Sequence, residues 1–242
     1  MEIGFYLITG TSRGIGEALA RKLLIQGHTV LGVSRNRPGE LNSDAYHHLT
    51  YDLMDSSEIE TIMDMAVEIV DTRGFDFLCL VNNAAVVEPL KSIERAEAST
   101  IEDHLRIGLV TSVILTSAFM RRFSGHKIRK KVSFISSGAA LRPMPDMSMY
   151  CSSKAALKMF AECIGLEQKD REHGFEVVSI SPGMVETSMQ QAVRTGNYAM
   201  AGYFEQAYED GKVQDRAKVA EKIAMILAQK YENGTFVSVR DV

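Results

Sequence analysis

Seven short apolar runs alternate along this chain with longer stretches whose apolar residues recur at helical spacing, and no other feature restricts the fold as strongly. The runs cover residues 4–8, 29–33, 48–51, 77–82, 131–136, 176–181 and 235–239. The stretches between them predict helices over 14–26, 57–72, 101–123, 149–169 and 216–229, with a variable segment over 187–208. A run such as Phe77-Leu78-Cys79-Leu80-Val81 has no polar alternate face, so both of its faces must be covered. Strand–helix repetition of this kind predicts an α/β fold: one doubly wound domain over 1–242, with about seven parallel strands and helices on both faces. No internal repeat, low-complexity tract or Pro/Gly/Ser-rich linker divides it.

The first turn of that pattern sets the expected ligand. After the first run comes Thr9-Gly10-Thr11-Ser12-Arg13-Gly14-Ile15-Gly16, opening straight into a helix. Glycines there allow a tight turn and a close backbone approach to a pyrophosphate, and the helix start supplies free N–H groups and a positive dipole end. Gly10, Thr11, Ser12, Arg13, Gly14, Ile15 and Gly16 are therefore candidate dinucleotide contacts, and the domain is expected to be of Rossmann type. At the end of the second run an NAD-binding chain usually carries Asp or Glu for the ribose 2′-OH. Here Val33 leads into Ser34-Arg35-Asn36. A guanidinium suits a 2′-phosphate, and the absent carboxylate removes a repulsion, so Ser34, Arg35 and Arg13 point to NADP(H).

The chemistry is expected in the second half. Ser136-Ser137-Gly138 ends the fifth run, and Tyr150-Cys151-Ser152-Ser153-Lys154 opens the following helix. Tyr150 and Lys154 are i, i+4 neighbours on one helical face. An ammonium beside a phenol favours the phenolate, so Tyr150 is expected to have a lowered pKa and to trade protons with a carbonyl or alcohol oxygen. Ser137 can hold the same oxygen. A second Tyr-x-x-x-Lys, Tyr208 to Lys212, contains Gly211 and two acids and follows no strand-end serine. It is read as a surface pair.

Composition excludes several alternatives. Net charge is −4 with 24% charged and 45% hydrophobic residues, so no global basic field draws the chain to nucleic acid or to an anionic membrane. The basic cluster from His126 to Lys131 lacks interleaved aromatics and is expected to be a solvated loop before a strand. No apolar run approaches the roughly 18 residues a membrane span needs. The start of the chain carries no basic leader, so a cytoplasmic protein is expected. The three cysteines, Cys79, Cys151 and Cys163, have no paired spacing and are expected to be reduced thiols. His47 and His48 are adjacent rather than a helical turn apart, and no metal is assigned.

On these motifs the chain resembles the short-chain dehydrogenases/reductases over nearly its whole length. The matching residues are 9–16, Asp52-Leu53, Asn82-Asn83-Ala84-Ala85, Ser137, Tyr150 with Lys154, and Pro182-Gly183 with Thr187. The resemblance implies that Ser137 binds the substrate oxygen, that Tyr150 is the acid/base, and that Lys154 also grips the nicotinamide ribose. It further implies that Asp52 and Leu53 flank the adenine, that Asn83 lines the cofactor channel, and that Val185 and Thr187 meet the nicotinamide. About residues 1–130 would then form the cofactor half and about 131–242 the catalytic and substrate half. A homodimer or homotetramer is usual in such proteins.

The stretches from Pro182 to Gln190 and from Ile114 to Met120 are similar to bacterial benzil reductases and their sepiapterin reductase relatives. That implies an NADPH-dependent carbonyl reductase acting on a small or aromatic ketone or α-dicarbonyl. Ser238 stands where a sepiapterin reductase would place a pterin-binding Asp, which argues against a pterin. Methionines 144, 147, 149, 184 and 189 can form an adaptable apolar pocket or plain core. The family pattern is broken at Ala85, where glycine is usual, and at Gly108, where the helix usually carries an asparagine linked through water to the lysine. Two alternatives stand beside the reductase: an alcohol dehydrogenase running the other way, and a cofactor-binding sensor or low-activity homologue whose support is Gly108.

Overall fold

The computed structural model describes every residue except Met1, Glu40, Ser56 and Glu58, so one position inside the predicted helix 57–72 lies outside the described residues. Strands β1 (Gly4–Thr9), β2 (Thr29–Ser34) and β4 (Phe77–Asn82) are buried at every position, as an apolar run without a polar face requires. With β3 (Tyr46–Thr50), β5 (Arg129–Ile135), β6 (Glu176–Ser181) and β7 (Thr235–Ser238) they form one parallel seven-stranded sheet in the order β3-β2-β1-β4-β5-β6-β7. The order reverses between β1 and β4, and the carboxyl ends of those two strands therefore open a crevice.

Alternate residues of each strand serve opposite faces. Phe5 and Leu7 pack with α2 (Ile59–Arg73), α4 (Thr111–Phe123) and α5 (Ser148–Gln168), through side chains such as Ile62, Phe119 and Leu157. Tyr6 and Ile8 pack with α1 (Gly14–Ile25) and α8 (Arg216–Ala228), through Leu19, Leu23, Ile223 and Leu227. Each fully buried large apolar side chain contributes about 1.5–3 kcal/mol, so these two layers supply the bulk of the stabilisation.

The structure corrects several element boundaries. β3 begins at Tyr46, because the Tyr46 phenol is buried and donates to Thr11 Oγ1 at 3.1 Å. The predicted helix 101–123 begins earlier and is composite: α3 (Ala98–Leu105), a π-helical turn (Arg106–Val110), then α4. The variable segment holds two helices, α6 (Ser188–Thr195) and α7 (Ala201–Glu209), whose Val193, Phe204 and Ala207 are buried. The basic cluster is only partly a loop. Arg129, Lys130 and Lys131 belong to β5, and both lysines are buried. The Arg129 guanidinium grips Glu176 at 2.8 and 2.9 Å and also donates to the carbonyls of Ala228 and Gln229. Lys131 Nζ donates to the Leu227 carbonyl at 2.8 Å. These cations satisfy the last carbonyls of α8, which compensates their removal from water. Among the described residues no helix is long and apolar enough to cross a membrane.

Candidate active site

The crevice begins at the glycine turn between β1 and α1. Gly10 sits at φ +74°, a conformation open to glycine at little cost. Gly16 answers a different need: a Cβ there would lie 2.3 Å from the Gly10 carbonyl oxygen and 2.5 Å from Asn83 Nδ2. The turn is held from β4. Asn83 Nδ2 donates to the Thr9 carbonyl at 2.8 Å and to the Gly10 carbonyl at 3.3 Å, while Thr9 Oγ1 accepts the N–H groups of Asn83 and Ala84. Arg13, the residue preceding α1, makes no side-chain cap, so the helix start keeps N–H donors for an anion.

At the far side of this turn lie Ser34 and the exposed Arg35, across from the exposed Arg13. Neither arginine forms an ion pair among the described residues. Arg37, which sequence reasoning passed over, adds a third cation whose field reaches Tyr46 and His48. Its position two residues beyond Arg35 was the available signal. A cradle shaped by missing Cβ atoms, a free helix start and unpaired guanidinium groups together fit a phosphorylated dinucleotide.

A cleft of about 310 Å³ runs from there to the end of β5, and its wall includes Gly10, Ser12, Arg13, Gly14, Ile15, Ser34, Arg35, Asp52, Leu53, Asn83, Ser137, Tyr150, Lys154, Val185 and Thr187. Two candidates are not on that wall. Thr11 is fully buried behind the turn, where its hydroxyl meets Tyr46 and Ser34, and Gly16 packs against Gly10. They shape the turn from behind. Thr187 caps α6 by accepting the Gln190 N–H at 3.2 Å.

Three side chains of the second half converge at the other end. The Ser137 hydroxyl lies beside the Tyr150 phenol, close enough to favour its ionised form. Lys154 Nζ donates to the Ile135 carbonyl at 2.8 Å and lies 5.7 Å from the centroid of the Tyr150 ring. Lys154 is only 4% exposed, and burial pulls its ammonium down to about 8. The expected acidification of Tyr150 is overturned: burial holds the phenol above its ordinary value. Desolvation outweighs the Ser137 contact, and Lys154, whose Nζ lies 5.7 Å from the ring centroid and donates to the Ile135 carbonyl, does not reverse it. At neutral pH Tyr150 therefore carries its phenolic proton.

Beyond these groups the cleft is largely apolar, with Ser188 and the buried Gln190 as polar exceptions. Met144, Met147, Met184 and Met189 line it together with Val87, Val193 and Phe204. Met149, grouped with them by sequence, is not on the wall. Val87, Val193 and Phe204 come from the loop after β4 and from α6 and α7, and nothing local in the sequence marks them as neighbours. The second Tyr-x-x-x-Lys lies elsewhere, with Tyr208 covered by the Arg194 guanidinium at 3.6 Å and Lys212 bound to Asp210 at 2.6 Å. All three cysteines are free. Among the described residues no group of three His, Cys, Asp or Glu side chains is arranged to hold a metal.

The chain is similar to known proteins over nearly its whole length. The chain is 31% identical over 239 residues to the benzil reductase ((S)-benzoin forming) of Bacillus subtilis, covering 98% of both chains. It is 32% identical over 246 residues to that of Bacillus cereus, covering 97% of this chain and 98% of the relative. A solved short chain dehydrogenase/reductase from Saccharomyces cerevisiae shares the fold with a TM-score of 0.84 at 24% identity, over 98% of this chain and 96% of that one. The family profile described as short chain dehydrogenase matches residues 5–197, and the chain belongs to that oxidoreductase family.

Proposed function

We propose that the protein is an NADPH-dependent carbonyl reductase that converts a bulky or aromatic ketone, or an α-dicarbonyl, to the corresponding alcohol. One observation carries this reading: Ser137, Tyr150 and Lys154 meet at one end of a cleft whose other end presents a glycine turn and two unpaired arginines. The bound nicotinamide supplies the hydride. The chain's own residues handle the substrate oxygen. The Ser137 hydroxyl and the Tyr150 O–H can both donate to it, which orients the carbonyl and stabilises the negative charge that develops. Tyr150 then gives up its proton, completing the alcohol, and the Lys154 ammonium offsets the charge left on the phenolate. A protonated phenol can give its proton to a carbonyl oxygen, as reduction requires.

The methionine-rich wall supports an uncharged, bulky substrate, because flexible thioethers repack around different apolar shapes. The names of the two Bacillus relatives support an aromatic diketone. Exposed Val110 and Ile114, with Met159 and Leu166 on α5, leave apolar surface suited to a second copy, and we propose a homodimer or homotetramer in the cytoplasm. Sedimentation of the purified chain checks this; a monomer at all concentrations refutes it.

The test of activity is oxidation of NADPH with benzil and a panel of aromatic and aliphatic ketones. Turnover with an aromatic diketone is expected, and Tyr150→Phe is expected to lower kcat by roughly 10²–10⁴-fold while NADPH still binds. Tight NADPH binding with no carbonyl reduced would favour the sensor reading instead.

A further inference from the structure

His104 closes α3 and is 1% exposed. Its Nδ1 lies 2.6 Å from the Glu88 carbonyl oxygen, which can only accept, so Nδ1 carries a proton. Its Nε2 lies 3.0 Å from Ser153 Oγ. Ser153 immediately precedes Lys154, and its hydroxyl is also 3.1 Å from the Tyr150 carbonyl. The imidazole stands edge-on to the Tyr150 ring, with centroids 6.5 Å apart and planes at 81°. One side chain thus ties the loop after β4 to the first turns of α5, between the two residues that carry the chemistry.

Gly108 explains how that side chain fits. It lies in the π-helical turn against α5, and a Cβ there would stand 3.3 Å from both Cβ and Oγ of Ser153 and 3.4 Å from His104 Nε2. Any larger side chain would press on the imidazole and hydroxyl together. We infer that His104, seated in the space Gly108 leaves open, is a positioning residue that holds Tyr150 and Lys154 in register through Ser153. Gly108 is then the partner of His104 rather than a defect of the site.

The groups facing the imidazole are Lys154, Tyr150 and the Met149 carbonyl from α5, with the Glu88 carbonyl and carboxylate from the loop. Burial, opposed by the Glu88 carbonyl and reinforced by the Lys154 cation, holds His104 below its ordinary value and so neutral at neutral pH. In that form Nε2 accepts the Ser153 O–H. Protonation turns Nε2 into a donor, releases the Ser153 hydroxyl to the Tyr150 carbonyl, and sets a second positive charge beside Lys154.

The kinetic arm of the test rests on the carbonyl reductase reading. His104→Leu keeps the volume and loses both hydrogen bonds; kcat should fall roughly ten- to a hundredfold, with KM and NADPH affinity within about twofold of wild type. His104→Gln, which offers a donor and an acceptor, should recover most of the loss and should lack the wild-type decline in kcat on the acid side. Unchanged kcat in His104→Leu, or loss of NADPH binding in step with kcat, overturns the inference. A second arm needs no turnover. Gly108→Asn should lower the melting temperature of the wild type, and in a His104→Ala background it should cost markedly less. Strictly additive losses overturn the inference, and wild-type protein that reduces no carbonyl refutes the proposed function while leaving this arm to decide.

Discussion

The two ends of the cleft are built from different materials. At the cofactor end the working groups are backbone N–H donors, glycines and exposed arginines, with Asn83 pinning the turn by hydrogen bonds to Thr9 and Gly10. At the Ser137–Tyr150–Lys154 end they are side chains, with the buried Lys154 pulled down to about 8 and the half-buried Tyr150 pushed up by desolvation. The first end depends on shape and on backbone hydrogen bonds. The second depends on desolvation, and its protonation states belong to the whole fold.

This contrast can be broken at either end. The largest effect is expected from Gly16→Ala, whose Cβ would be forced to within 2.3 Å of a backbone oxygen. Displacing the turn should weaken NADPH binding by about a hundredfold and destabilise the fold by roughly 1–3 kcal/mol, as measured by fluorescence titration and denaturation. Normal affinity would show that the turn is not the binding cradle. Arg35→Asp comes next. It should weaken NADPH at least about tenfold while sparing NADH, because only the 2′-phosphate meets the charge. Equal losses for the two cofactors would move the phosphate elsewhere.

The catalytic end is sharpened by pH. Lys154 loses its positive charge as pH rises through about 8, so kcat should decline on the alkaline side from there. The sign for stability is opposite. A lysine depressed from 10.5 to about 8 binds its proton more weakly when folded, so its contribution to stability rises between those values. Activity falling while the melting temperature gains from this group is the expected pattern, and Lys154→Met should remove both trends. The smallest effect belongs to the apolar wall. Met189→Leu should change KM for large diketones only about two- to threefold, since a volume-conserving swap in a pliable pocket is well tolerated. A greater than tenfold change would mean that Met189 makes a specific contact.

Much of the fold was legible because it is written in local patterns. Continuous apolar runs announced β1, β2 and β4, and the glycine turn announced the start of α1. The pairing of Tyr150 with Lys154 followed from one helical turn of spacing. What was not legible came from long-range packing. Lys130 and Lys131 looked like a solvated loop, yet the fold buries both, with Lys131 capping α8. The segment containing α6 and α7 lacked periodicity because its helices are short and bury only a few side chains each. Thr11 and Gly16 belonged to the right motif, but they face the protein rather than the cleft.

The amino-acid order alone determined the succession of strands and helices, the place of the glycine turn and the kinds of side chain that reach the crevice. Each of these is set within a few residues by periodicity, backbone freedom and spacing. Only the tertiary structure decided the acidity of Tyr150, the buried seat of His104 beside Gly108 and the membership of the apolar wall. Those properties come from desolvation and contact among segments far apart in the chain, and no local pattern encodes how much water a neighbouring element will exclude.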